Sequence, residues 1–292
     1  MKIQLLNGGL GNQVFQYIFA RYMELTTGDT VYLDDSFFYL TDAHNGYEIE
    51  KVFPHSCPRL LSRELKPNVW HYLIENCKKG ISLCQSIKDS GTDLFIIAET
   101  GDFSFDGNYV MVPPQSFTPA IAYSQGNPYY HGYWIQKQWL YSFPDPLFKE
   151  LSFPDIPDSK NQEYLRQIQE TDSVAVHIRR GDFLDLNWDI PDSFYHASIT
   201  KICELLPNAE LFIFSDDIVY CKTHISELGF DLPKKPAIFV DGNTSGANYI
   251  DLQLMSYCKG MVISRSSFSY LAALLNQRED KFVINPFPGR EI

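Results

Sequence analysis

Ser173-Val174-Ala175-Val176-His177-Ile178-Arg179-Arg180-Gly181-Asp182 is the stretch that decides how this chain is read. A short apolar, β-branched run bounded by a glycine reads as a buried strand over residues 173–178. Two arginines leave its carboxyl end. A guanidinium presents a rigid fork of N–H donors that matches either phosphate or carboxylate oxygens. The pair is therefore either an anion site or half of a structural ion pair, and residue type alone does not separate the two.

Working outward, strands and helices alternate. Helical spacing covers residues 163–170, 194–206, 217–228, 249–258 and 268–277. Strand-like runs cover 211–214, 237–240, 260–263 and 282–284. That alternation predicts a parallel, doubly wound sheet, whose ligands bind at the carboxyl ends of its strands. The beginning of the chain repeats the theme. Residues 2–6 read as a strand, Asn7-Gly8-Gly9-Leu10-Gly11-Asn12 as a turn, and apolar positions 14, 15, 18, 19, 22 and 25 as a helix, with a further strand at 31–33. Between them, 95–98 and 109–112 suggest strands, and 60–84 suggests two helical pieces broken near Pro67 and Gly80. The aromatic block Tyr129-Tyr130-His131-Gly132-Tyr133-Trp134 has no assignable period. Pro144, Pro146, Pro154 and Pro157 read as a linker. The fold class is α/β, in two halves: residues 1–150 and 151–292.

Composition bounds the partners. With 36 acidic against 24 basic side chains the net charge is −12, so a polyanion such as nucleic acid is disfavoured and any phosphate ligand needs local arginines. Aromatics make up 15% of the chain, enough to serve both cores and sugar faces. No run of 18 uncharged apolar residues exists and the start of the chain does not resemble a signal peptide. The expectation is a cytoplasmic protein with no transmembrane segment, with peripheral attachment at the inner membrane left open. Cys57, Cys77, Cys84, Cys203, Cys221 and Cys258 form no metal-type or redox pair and read as reduced thiols, mostly in cores.

Three more motifs end predicted strands. Ile263-Ser264-Arg265-Ser266-Ser267-Phe268 leads from a strand into a helix start, where free N–H groups suit a phosphate, although taken alone the serines are better explained by plain N-capping. Phe214-Ser215-Asp216-Asp217 offers a carboxylate for guanine or ribose, or a helix cap. The glycine turn at 8–11 permits close backbone approach but lacks G-x-G-x-x-G spacing. No D-x-D triplet, P-loop, G-x-S-x-G elbow or H-E-x-x-H occurs, so kinase, hydrolase and zinc-protease readings fall.

Taken together, Gly8 to Tyr17, His177 to Asp182, Phe214 to Asp217 and Asp251 to Phe268 resemble the α-1,2-fucosyltransferases of glycosyltransferase family 11, bacterial type, in order and spacing along almost the whole chain. His131-Gly132-Tyr133-Trp134 also resembles a family element. The resemblance implies a GT-B-like architecture of two Rossmann-like domains facing across a cleft, acceptor side first and donor side second. It implies GDP-β-L-fucose as donor substrate, a glycan acceptor, inversion to an α-linked fucoside on O2 of a terminal galactose, and no cofactor or metal. It places Arg179 on the β-phosphate and Asp216 on guanine. Arg265, Ser266, Ser267 and Phe268 line the diphosphate, His177 and Arg180 flank the donor, and Gly11 and Asn12 approach it from the N-terminal half. Asp182 is the candidate base, against a reading in which it merely orients Arg179. The chain departs from the family where Arg265 replaces an asparagine and Tyr270 to Leu275 replaces a tryptophan-rich run. Two alternatives stay open: a fucosyltransferase of α-1,6 or α-1,3 linkage, and a non-catalytic nucleotide- or sugar-binding protein. Acceptor specificity is expected within residues 35–150.

Overall fold

The computed structural model describes residues 1–99, 109–112, 121 and 125–286. The chain divides into two compact units, 1–154 and 155–292.

The first unit is built on five parallel strands: β1 (Lys2–Leu5), β2 (Val31–Asp34), β3 (Leu94–Glu99), β4 (Tyr109–Val112) and β5 (Asn127–His131), in the order β2-β1-β5-β3-β4. The helix Leu10–Thr27 buries Val14, Phe15, Ile18, Phe19, Tyr22 and Met23. Phe19 stacks on Trp134 with centroids 4.4 Å apart and meets Trp139 edge-on at 5.2 Å. The aromatic block is thus a central strand and a core. Pro128 explains why it resisted reading: proline argues against a central strand, yet β5 pairs with both β1 and β3, and Pro128 stands just inside its start.

Three buried glutamines tie the loops at this sheet's carboxyl edge. Gln13 Nε2 donates to the carbonyls of Gly8 and Gly46, both at 2.9 Å, and its Oε1 accepts from Glu48 N at 2.9 Å. Gln16 Nε2 donates to Asn7 Oδ1 at 2.7 Å and to Gly132 O at 3.2 Å. Gln4 Oε1 accepts from Trp134 Nε1 at 2.8 Å. Glu99 Oε2 accepts from Tyr133 N at 2.6 Å and Trp134 N at 3.1 Å, holding Trp134 in a left-handed conformation with φ 54°.

The second unit has β6 (Ser173–Ile178), β7 (Glu210–Ser215), β8 (Ile238–Phe239), β9 (Gly260–Val262) and β10 (Phe282–Ile284), all parallel, in the order β10-β9-β6-β7-β8. The chain runs outward from β6 through β7 to β8, then returns to the other side of β6 for β9 and β10. This is a Rossmann-like order, with its switch point between β6 and β9. On one face Val174, Val176 and Ile178 pack with Ile199, Ile202, Leu211 and Ile213.

Two local expectations are corrected. The proline stretch is only partly a linker. Pro144 heads the helix Pro144–Glu150, where a missing N–H costs nothing, and Arg21 grips Glu150 through Nε and Nη2 at 2.9 and 2.8 Å. The single helix expected over 217–228 is two, Ile218–Thr223 and Ile225–Leu228, because His224 between them adopts φ −119°.

Replacing Gln13 with leucine leaves a buried N–H and two carbonyls unpaired. We expect a stability loss of about 1–3 kcal/mol, read as a lower urea midpoint at unchanged slope; an unchanged midpoint would show that the loop at 41–48 does not depend on this tie.

Candidate functional site

The site is built where β6, β7 and β9 end side by side. Arg179 follows β6 directly. Its Nη2 donates to Asp182 Oδ1 at 2.7 Å, and its Nη1 lies 3.0 Å from Asp216 Oδ2 at the end of β7. Asp216 Oδ1 also accepts the backbone N–H of Arg180 at 2.9 Å. One carboxylate therefore clamps the arginine pair across two strand ends. Gly181 makes room for it, since a Cβ there would come within 2.5 Å of Asp216 Oδ2. The structure therefore shows the ion-pair reading of the arginine pair. Arg179 is ion-paired, but its bond to Asp182, three residues along and half exposed, is of a kind that contributes little and is easily exchanged for a stronger anion.

Arg180 turns the other way. Its guanidinium carbon lies 3.3 Å from the Tyr220 ring centroid, and Nε is 3.6 Å from Asp217 Oδ2. Tyr220 is fixed in turn by its hydroxyl donating to Asp192 Oδ2 at 2.5 Å and by stacking on His224 at 3.9 Å. No sequence signal marked Tyr220, because only the fold brings its ring to Arg180.

Across the switch point stands the loop after β9. Ser266 caps the helix Ser267–Leu275, its Oγ accepting from Phe268 N at 3.2 Å, so the capping reading of the serines holds as far as Ser266. Arg265 is exposed, and among the described residues no carboxylate lies within ion-pair distance of it. His177 joins the two loops: Nδ1 and Ser264 Oγ are 2.8 Å apart, and its ring lies 5.9 Å from Phe268. Burial, with Arg179 beside it, pushes the His177 pKa down to about 3, so the imidazole is neutral. Near the end of β8, Asp251 accepts from Asn243 Nδ2 at 2.7 Å, and burial raises its pKa to about 7. Sequence reading quoted Asp251 in a motif but gave it no role.

Gly11 and Asn12 belong to the first unit, in the first turn of the helix Leu10–Thr27. Gly8 supplies the preceding turn at φ 77°, and Gly9 occupies the N-cap with no side-chain partner. Beside this edge, past β2, Asp35, Tyr39, Tyr47 and Arg63 line an open cavity of about 340 Å³. Among the described residues no group of three or more His, Cys, Asp or Glu side chains converges as metal ligands would, and no helix is long and apolar enough to cross a membrane.

Comparison with known proteins identifies the family and the fold. The family model described as Glycosyl transferase family 11 matches residues 104–289. An Escherichia coli protein named alpha-1,2-colitosyltransferase is 27% identical, over 98% of this chain and 91% of its own length. The Escherichia coli O-antigen biosynthesis glycosyltransferase WbnK is 26% identical, over 96% of this chain and 92% of its own. Among solved structures, an Arabidopsis thaliana FUT1 mutant in complex with GDP shares the fold at a TM-score of 0.51 and 13% identity, covering 94% of this chain and 68% of that one.

The neutral His177 has a consequence for stability. Its folded pKa is depressed below the ordinary 6.5, so the unfolded chain binds the extra proton, and stability present above pH 6.5 is lost as pH falls toward 3. His177→Gln should flatten that loss by up to ~1.4 kcal/mol per pH unit in denaturant melts between pH 7 and 5. Parallel curves for the two proteins would refute a buried neutral imidazole.

Proposed function

The chain belongs to glycosyl transferase family 11 and is a glycosyltransferase; from that premise we propose that it moves L-fucose from GDP-β-L-fucose, with inversion, onto O2 of a terminal galactose. The observation that carries this reading is the arginine pair at the end of β6, with the exposed Arg265 and a helix start across the switch point. In a chain of net charge −12, that concentration of donors is what a departing diphosphate requires.

In the proposed reaction the acceptor oxygen forms a bond to C1 of the sugar as the bond from C1 to the β-phosphate oxygen breaks. The electron pair leaves with GDP. Arg179 exchanges Asp182 for the β-phosphate while Asp216 keeps hold of its other nitrogen, so Asp216 serves the donor through Arg179. Arg265 and the helix start at Ser267 neutralise the leaving diphosphate, Ser266 and Phe268 line it, and His177 and Arg180 flank it. For Gly11 and Asn12, in the first unit's helix Leu10–Thr27, a donor role rests on the resemblance to family 11 alone. Asp182, released from Arg179, takes the acceptor proton. Charge neutralisation by arginines is the reason we propose transfer without a metal. A cytoplasmic location belongs to the same proposal.

A second donor is favoured by one specific finding. The relative at 27% identity is named for colitose, which is fucose without its 3-hydroxyl. GDP-colitose is therefore the competing substrate, with the same leaving group and the same arginines.

Incubation with each nucleotide sugar and galactose-terminated acceptors in EDTA tests the reading through GDP release and product mass. We expect a mass gain of one fucose, with linkage analysis showing the 2-position. Gain of colitose alone would transfer the assignment to that donor. Products of other linkage would correct the regiochemistry, and GDP binding with no transfer to any acceptor would favour a binding protein.

Arg179→Ala should lower kcat by about 10²–10³ with an unchanged thermal midpoint, and near-normal turnover would remove Arg179 from the donor site. Asp182→Asn separates its two roles. Loss of kcat at unchanged GDP affinity marks a base, and a matched loss of GDP affinity marks a group that only positions Arg179.

A further inference from the structure

The short helix Gly181–Asp185, which carries the residues just after the arginine pair, ends in an ordered closure. Asn187 N donates to Leu184 O at 3.2 Å and Trp188 N to Phe183 O at 2.9 Å, with Asn187 left-handed at φ 53°. This is the paired bonding of a Schellman turn, and its usual apolar contact is present as a T-shaped meeting of Phe183 and Trp188 at 5.7 Å and 86°. Phe183 also takes the Arg179 guanidinium over its ring at 5.5 Å. Arginine, phenylalanine and tryptophan thus form one line leading away from Arg179.

Trp188 sits at the outer end of that line and remains 54% exposed, while Trp70, Trp134 and Trp139 are buried. Leu184 and Leu186 beside it are 41% and 48% exposed. A T-shaped contact engages at most one face of the indole, so the turn by itself leaves the other face unused. The segment 181–192 also carries Asp182, Asp185, Asp189 and Asp192 and no basic residue, which is the wrong charge for an anionic lipid surface. An uncharged partner with an apolar face fits it: the C–H face of a sugar ring.

We propose that the indole of Trp188 is the platform on which the acceptor saccharide stacks. The inference rests on the donor reading above. If Arg179 holds the diphosphate, the sugar carbon under attack lies beside it, and the acceptor must approach that point. A single phenylalanine ring separates Arg179 from Trp188, a span that a disaccharide bridges with one ring reacting and the other on the indole. Trp188 is a positioning residue: it holds the acceptor saccharide in the site by binding that is the same in ground and transition states, and takes no part in bond making.

Because the other three tryptophans are buried, quenching of the tryptophan fluorescence by the uncharged quencher acrylamide reports chiefly on Trp188 without turnover. With GDP bound, lactose, N-acetyllactosamine or lacto-N-biose should protect Trp188 from acrylamide, and Trp188→Phe should abolish the sugar-protected part of the quenching. In transfer assays, Trp188→Ala should raise the acceptor KM about tenfold while leaving kcat and GDP affinity within about twofold, and Trp188→Tyr should recover most of the loss. Absence of protection by all three saccharides overturns the proposal. So does an unchanged acceptor KM in a Trp188→Ala protein that melts normally, or protection by phosphatidylglycerol vesicles in place of sugar. GDP affinity is measured separately: a chain that fails to bind GDP sinks the donor reading, whereas one that binds GDP but gains no saccharide protection sinks only the platform.

Discussion

A parallel sheet sends the carboxyl end of every strand to the same edge, and the candidate site depends on that constraint. β6, β7 and β9 are hydrogen-bonded neighbours, so the residues that follow them must come out side by side, although they lie far apart in the chain. Arg179 meets Asp216, and His177 meets Ser264, for this reason alone. The chain returns across β6 to form β9, and in doubly wound sheets such a switch point is where ligands bind.

Electrostatics then decides what that edge can hold. The chain is strongly acidic, and most of its arginines and lysines are spent on carboxylates. At the end of β6 the carboxylates are used to aim guanidinium groups: Asp216 holds Arg179 and the Arg180 backbone, and Tyr220 and Asp217 draw Arg180 aside. A clamped arginine loses less freedom on meeting an anion than a mobile one does. His177 supports the same arrangement as a neutral bridge to Ser264, because a second positive charge buried beside Arg179 would be costly. In the first unit amide side chains play the equivalent part, with Gln4, Gln13 and Gln16 donating to loop carbonyls that would otherwise be buried unpaired.

Much of the second unit was legible because its strands are continuous apolar runs ended by sharp polar signals. Ser173 to Ile178 and Phe282 to Ile284 match the expected spans, and the others differ by a residue or two at their ends. The first unit was harder for reasons that can be named. β5 carries a proline near its start and is a core strand all the same, and Trp134 adopts a left-handed backbone conformation whose N–H is held by Glu99 from elsewhere in the chain, while Gln4 holds its indole. The helix at Pro144 was hidden by reading proline as a breaker where it is an initiator.

Composition, period and motif order determined by themselves that this is an α/β chain with a cationic strand end and that it resembles family 11, because local propensity and side-chain chemistry are written residue by residue. The tertiary structure alone decided which carboxylate clamps which arginine, that Tyr220 lies under Arg180, that His177 is neutral, and that Trp188 is the exposed tryptophan. Each of these depends on distance and burial between residues that only the folded sheet brings together.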